Sequence, residues 1–409
     1  MPAFDDIDPP TLDSIPPFGG VPAGAAPEGD QAVGTLPGEQ LEPDAELQTG
    51  LSLWAIVFAG GIGSRFWPLS TPERPKQMLA LVGDRPLIAD TVARLAPTVP
   101  PNRVLVLTSA DIADALHAAI PEVPHANMLV EPRPLGTAAA LAWGAQEIVR
   151  RAGRRTVSVA LHADLAVGYP EELRAQLKRA GAIAAADPVV VALGAEPTRP
   201  ETGFGYLLPG RTADGEEGGD RRSVACRVER FVEKPGPLLA QELIDQGALW
   251  HTGILVAQAG TVLDALTEHT VELQHGLAAL AAGKMDRFAG LIQSVSIDRG
   301  LLERSPDVVV LPSDFGWDDV GTWAALRRVR ELDDTGNGVW GEAHVVDSSS
   351  CVVHADEGST IVVYGLSGML VVARPGLTFV TTLDRATDLR PLLDSLPEPL
   401  AGRPRKAEL

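Results

Sequence analysis

WAIVFAGGIGSRFWPLSTPERPKQ, residues 54–77, is the stretch from which the fold can be read. Its first six residues, WAIVFA (54–59), are continuously apolar, without polar alternation. Such a run predicts a strand buried on both faces of a parallel sheet. It meets Gly60, Gly61 and Gly63, whose backbones can turn sharply and present N–H groups to an anion. Arg65 and Lys76 add two fixed positive charges to the same loop, and the combination suits a polyphosphate. The P-loop pattern GxxxxGK[ST] is absent, and Phe66 stands where a dinucleotide fingerprint needs its third glycine.

Downstream, apolar runs alternate with helical stretches. VLVLT (104–108) precedes DIADALHAAI, and NMLVE (127–131) precedes the alanine-rich helix GTAAALAWGAQEIVRRA (136–152). TVSVALHAD (156–164) is followed by the helix EELRAQLKRAGAIAAA (171–186), and VVVALG (189–194) closes the series. This order predicts βαβ units and a mostly parallel α/β sheet. From 195 to 330 the alternation loosens, with strands at VACRVERFVEK (224–234) and WHTGILVA (250–257) and a charged loop, ADGEEGGDRR (213–222). Beyond Gly336 the runs HVVDSS, CVVHAD, TIVVYGL, MLVVARP and LTFVTTL predict a small all-β unit, able to form a short stacked coil, with a short helix at 386–396. The expected division is an acidic tail (1–50), a catalytic domain (51–335), the β-rich unit (336–396) and a frayed end (397–409).

Composition narrows the function. The chain has 409 residues, formal net charge −20 and 45% hydrophobic content, enough for a large core. Its first 50 residues hold ten acids, nine prolines and no Lys or Arg, a composition that predicts disorder. A pI near 4.8 excludes a nucleic-acid partner, which would demand a basic face. No apolar run is long enough to cross a membrane, and no secretory signal is read at the start. Cys226 and Cys351 fit no metal or redox spacing and read as two buried thiols in a reducing cytoplasm.

The full set of three glycines, Arg65, Pro68-Leu69-Ser70 and Pro75-Lys76-Gln77 resembles the signature of the sugar-1-phosphate nucleotidyltransferases, most closely the mannose-1-phosphate guanylyltransferases. The resemblance continues in order through Glu131-Pro132 with Gly136-Thr137-Ala138, Leu161-His162-Ala163-Asp164, the segment Pro197–Tyr206, Phe231–Pro235, Leu249–Gly253, Ser296-Ile297-Asp298 and Phe315–Trp323. It covers roughly residues 53–395. It implies a Rossmann-like catalytic domain with a small C-terminal β-rich unit. The implied reaction is guanylyl transfer from GTP to mannose 1-phosphate, giving GDP-mannose and pyrophosphate, with Mg²⁺ as cofactor. A homodimer is an expectation from the same family. The alternatives are another sugar 1-phosphate, or a non-catalytic paralogue that binds nucleotide sugars.

Carried over by the resemblance, Arg65 and Lys76 hold the triphosphate, and Asp164 and Asp319 hold the Mg²⁺. Lys234 binds the sugar phosphate and Glu233 the hexose hydroxyls, with Gly203, Gly205 and His251 on the sugar side. Gly60, Gly61, Gly63, Glu131, Gly136 and Thr137 are the nucleotide side. Glu131 also has a chemical argument of its own. Guanine offers two adjacent donors, and an acceptor-only carboxylate matches them, whereas glutamine would suit uracil or thymine. The sequence departs from the family at Leu165, Gly136 and His251, where the resemblance leads one to expect His, Asn and Asn.

Overall fold

The computed structural model describes residues 52–61, 63–212 and 224–401. The expected acidic tail at 1–50 and the charged loop at 213–222 lie outside the described residues, as does 402–409. Among the described residues no helix is long and apolar enough to cross a membrane.

A nine-stranded sheet forms the frame. Its strands are β1 (Leu53–Phe58), β2 (Val104–Ser109), β3 (Met128–Glu131), β4 (Val157–His162), β6 (Val190–Ala195), β7 (Gly205–Thr212), β8 (Cys226–Glu233), β9 (Leu249–Gln258) and β10 (Val308–Pro312). Two short strands, β5 (Leu165–Val167) and β11 (Trp317–Asp319), pair with each other outside it. The order across the sheet is β3-β2-β1-β4-β9-β6-β10-β8-β7. Pairing is parallel through β3-β2-β1-β4 and again at β6–β10, while β9 enters antiparallel between β4 and β6. The sheet is therefore parallel where the sequence alternates strand and helix and mixed where that alternation loosens.

β1 shows why its run is apolar throughout. Trp54, Ile56 and Phe58 enter one core with the helix Thr137–Ala152, and Leu53, Ala55 and Val57 enter the other with the helix Leu87–Leu95. Strand period two sends neighbours to opposite faces, and both faces are covered by helices. Because β2 and β4 flank β1 on opposite sides, the sheet reverses its winding there. The crevice at the carboxyl ends of β1 and β4 is where open α/β sheets bind ligands.

The C-terminal strands are β12 (Gly338–Trp340), β13 (Glu342–Val346), β14 (Val352–Ala355), β15 (Thr360–Tyr364), β16 (Met369–Arg374) and β17 (Leu377–Thr382). Parallel pairs β12–β14–β16 and β13–β15 stack into a short coil, closed by antiparallel β17. The expected helix at 386–396 is a 3₁₀ turn at Arg385–Thr387 and a helix at Arg390–Ser395. The expected fraying at 397–409 needs correction for its first residues: Glu398–Ala401 is helical, and Trp67 Nε1 donates to the Leu400 carbonyl at 2.9 Å. Both cysteines are buried.

Candidate active site

The glycine loop leaves β1 and turns back at once. Gly63 has φ +70°, and a Cβ there would lie 2.3 Å from Lys76 Cβ, so the position tolerates only glycine. Ser70 Oγ donates to the Gly63 carbonyl at 2.7 Å and Gln77 Nε2 to the Ala59 carbonyl at 2.8 Å. These bonds pin both ends of the loop to the mouth of β1. Lys76 is buried, and its Nζ lies 2.8 Å from Asp164 Oδ2.

Asp164 and Asp319 are far apart in sequence, and the β5–β11 pair brings them together. Asp319 sits opposite Leu165, the residue after Asp164. Arg65 Nη1 donates to the Gly321 carbonyl at 3.4 Å. A Cβ on Gly321 would lie 2.6 Å from Asp319 Oδ2 and 3.4 Å from Arg65 Nη1, so all three groups crowd one spot. Asp318 points elsewhere, to Arg328 at 2.7 and 2.8 Å, as strand alternation requires. Burial pushes the Asp164 carboxyl up, but the Lys76 charge and hydrogen bond, with His162, bring it below the usual range. Burial holds Asp319 above the usual range; Lys76 and Arg65 oppose this, and Asp164 and Asp318 reinforce it.

The nucleotide-side residues line the neighbouring edge. Glu131 ends β3, with Oε2 3.8 Å from where a Gly60 Cβ would stand. Its Oε1 is buried without a hydrogen-bond partner among the described residues, and burial raises the carboxyl to about 7. Gly61 borders the same loop. Gly136 caps the helix Thr137–Ala152, and Thr137 Oγ1 accepts from the Ile297 N–H at 2.9 Å.

On the other side, β7, β8 and β9 assemble the expected sugar residues. Gly205 allows a close approach, since a Cβ there would lie 2.7 Å from Phe231 Cζ and 3.0 Å from Glu233 Oε2. Gly203 N–H donates to Glu201 Oε1 at 3.2 Å. Glu233 pairs with Lys234, and burial together with Asp298 raises its carboxyl above the usual range against the pull of Lys234. His251 is half-buried, with Nε2 3.8 Å from Asp298 Oδ1 and Nδ1 without a hydrogen-bond partner among the described residues. Burial lowers its basicity, so the ring is neutral near pH 7. A cavity of about 30 Å³ lies between His251, His162, Asp298 and Thr137, room for a hydroxyl or a water. His162 and Asp298 were not expected here as site residues. The signal for His162 was its place two residues before Asp164, on the same side of a strand end.

Trp317 and Trp323 both pack: Trp317 lies against Phe204 and Trp250, and Trp323 Nε1 donates to the Trp67 carbonyl at 3.1 Å. Among the described residues no cluster of three or more His, Cys, Asp or Glu could hold a metal. The acidic donors beside Lys76 are two carboxylates, Asp164 and Asp319, a number Mg²⁺ takes when substrate phosphates complete its shell.

Residues 54–335 match the family model described as Nucleotidyl transferase. The chain is 31% identical to the alginate biosynthesis protein AlgA of Pseudomonas putida over 84% of its length and 71% of that protein. It is 30% identical to a mannose-1-phosphate guanylyltransferase of Sinorhizobium fredii over 88% of its length and 70% of that protein. A solved Thermus thermophilus protein, described as a mannose-1-phosphate geranyltransferase, superposes with TM-score 0.75 at 35% identity, covering 84% of this chain and 99% of its own.

Proposed function

The chain belongs to the nucleotidyl transferase family, and from that premise we propose that it transfers a guanylyl group from GTP to mannose 1-phosphate. The products are GDP-mannose and pyrophosphate. A sugar-phosphate oxygen attacks the α-phosphorus in line. The bond from that phosphorus to the bridging oxygen breaks, and pyrophosphate leaves with the electron pair. Such chemistry asks the protein for positioning and charge, not for a nucleophile.

The observation that carries the reading is the β5–β11 register, which sets Asp164 and Asp319 side by side at the switch point next to Lys76. Asp164 and Asp319 would hold Mg²⁺, and the donor number fits it. Bound there, Mg²⁺ supplies neutralisation of charge on the phosphate oxygens. Lys76 and Arg65 hold the leaving pyrophosphate, with the glycine-loop amides beneath it. Lys234 takes the sugar phosphate, and Glu233, Gly203, Gly205 and His251 take the hexose. Glu131 reads guanine: its unpartnered Oε1 and its Oε2 are two acceptors for the N1–H and 2-amino donors. Two buried cysteines set in separate cores agree with a reducing cytoplasm as the place of the reaction.

Pyrophosphate release from the purified protein with Mg²⁺ and mannose 1-phosphate, taken through GTP, ATP, UTP and dTTP, tests this reading. Release with GTP alone is expected. Equal or greater release with UTP or dTTP would remove the argument from Glu131, and silence with every nucleotide on folded protein would remove the activity.

A further inference from the structure

The segment that presents Lys76 is gripped at both ends by polar contacts that reach the C-terminal coil. Before Lys76, Arg74 makes a two-point contact with Asp356, just past β14, with Nη1–Oδ2 at 2.6 Å and Nη2–Oδ1 at 3.3 Å. After it, Arg330 donates from Nε to the Leu81 carbonyl at 2.7 Å, and its Nη2 meets Nδ1 of His354, on β14, at 3.0 Å. The Arg330 guanidinium is buried, lies 5.0 Å from the Trp340 ring and has no hydrogen-bond partner at Nη1 among the described residues. Burial and the Arg330 charge hold His354 down to about 3, so its ring is neutral and free to accept. Along this segment and the loop before it, Phe66, Trp67, Leu69, Leu79 and Leu81 share one core with Val352, Leu370 and Phe379.

Apolar packing alone lets a loop slide, because it has no direction. A planar guanidinium on a carboxylate fixes both distance and orientation. We infer that the C-terminal coil is a positioning element of the active site, in which Asp356 through Arg74 and His354 through Arg330 fix the two ends of the segment carrying Lys76. Asp356 and His354 are positioning residues, since each acts through an arginine. The inference rests on the reading that Lys76 holds phosphate.

The test is Asp356→Asn, assayed beside Arg74→Lys and the swapped pair Arg74→Asp with Asp356→Arg. Each protein is measured for kcat, for KM of both substrates, for melting, and for amide exchange across residues 71–81. Displacing Lys76 slightly is expected to lower kcat of Asp356→Asn by about fivefold to tenfold while KM for mannose 1-phosphate stays within about twofold. Exchange across 71–81 should quicken while melting moves by no more than about 2 °C, because a half-exposed ion pair adds little to global stability. Arg74→Lys should fall between parent and Asp356→Asn, and the swapped pair should recover part of the loss. Unchanged kcat and exchange would overturn the inference, as would a loss of kcat that follows melting or one that the swap fails to relieve. Lys76→Met separates the two readings. If that variant keeps its activity, the phosphate role fails, whereas the exchange of 71–81 still reports on the grip.

Discussion

At the phosphate end of the crevice Lys76 Nζ already lies 2.8 Å from Asp164, and Arg65 reaches the Gly321 carbonyl; at the base end Glu131 Oε1 is buried with no partner among the described residues. The two ends answer different physical demands. Groups that hold a polyphosphate must carry charge before it arrives, and charges taken from water need partners. A cation and a carboxylate can neutralise each other at rest and exchange partners when phosphate and a divalent cation enter. A base reader gains selectivity from being incomplete, because its unmet acceptor penalises any ligand lacking the matching donor. The phosphate end should therefore govern rate and the base end choice of nucleotide.

The sharpest attempt to break that division is Asp319→Asn, which keeps the shape and removes one of two carboxylates. Pyrophosphate release should fall by about a thousandfold, with melting unchanged or slightly raised because a half-buried charge is gone. If GTP preference over UTP collapsed while turnover survived, the two ends would not be separable. Glu131→Gln probes the other end. It replaces one acceptor oxygen with an amide donor facing the guanine donors, and kcat/KM for GTP should drop by about 10- to 100-fold, a loss of roughly 1–3 kcal/mol. The kcat at saturating GTP should move far less, and steady-state kinetics with both nucleotides checks this.

The frame was legible because its physics is local. A two-faced apolar strand, a helix after each of the early strands and a glycine turn at the switch point are all written in short runs. β5 and β11 were not legible: three residues show no period, and the run TVSVALHAD reads as one strand although the chain turns after His162 and restarts at Leu165. Only the family resemblance paired Asp164 with Asp319. Arg74 and Asp356 are ordinary surface-type residues in sequence, and the coil's stacking alone makes them meet. His162 could have been found by strand alternation, whereas the Asp298 contact to His251 joins segments with no shared pattern.

A pH titration sharpens the comparison without mutation. With Glu131 held at about 7 by burial, the free protein is half protonated there near neutrality. Guanine binds the ionised form, so GTP affinity should be full above pH 8 and weaken by about tenfold at pH 6. ATP binding, lacking the paired donors, should not share this fall, and Glu131→Gln should remove it. A fall common to both nucleotides would assign the titration to their phosphates instead.

The smallest expected effect lies on the sugar side. His251 presents a neutral ring with an unpartnered Nδ1 beside a cavity of about 30 Å³, so like Glu131 it is an incomplete reader, yet an uncharged one. Replacing it by the asparagine usual in the family keeps a polar group but shortens it and loosens the contact with the Phe231 ring, 5.8 Å away between centroids. KM for mannose 1-phosphate should rise by about two- to fivefold, the scale of one neutral hydrogen bond, with KM for GTP unchanged. Initial-rate measurements against both substrates decide it. A lower sugar KM in His251→Asn would mean that the native ring is shaped for a different hexose substituent, and the base end alone would then behave as a reader matched to its ligand.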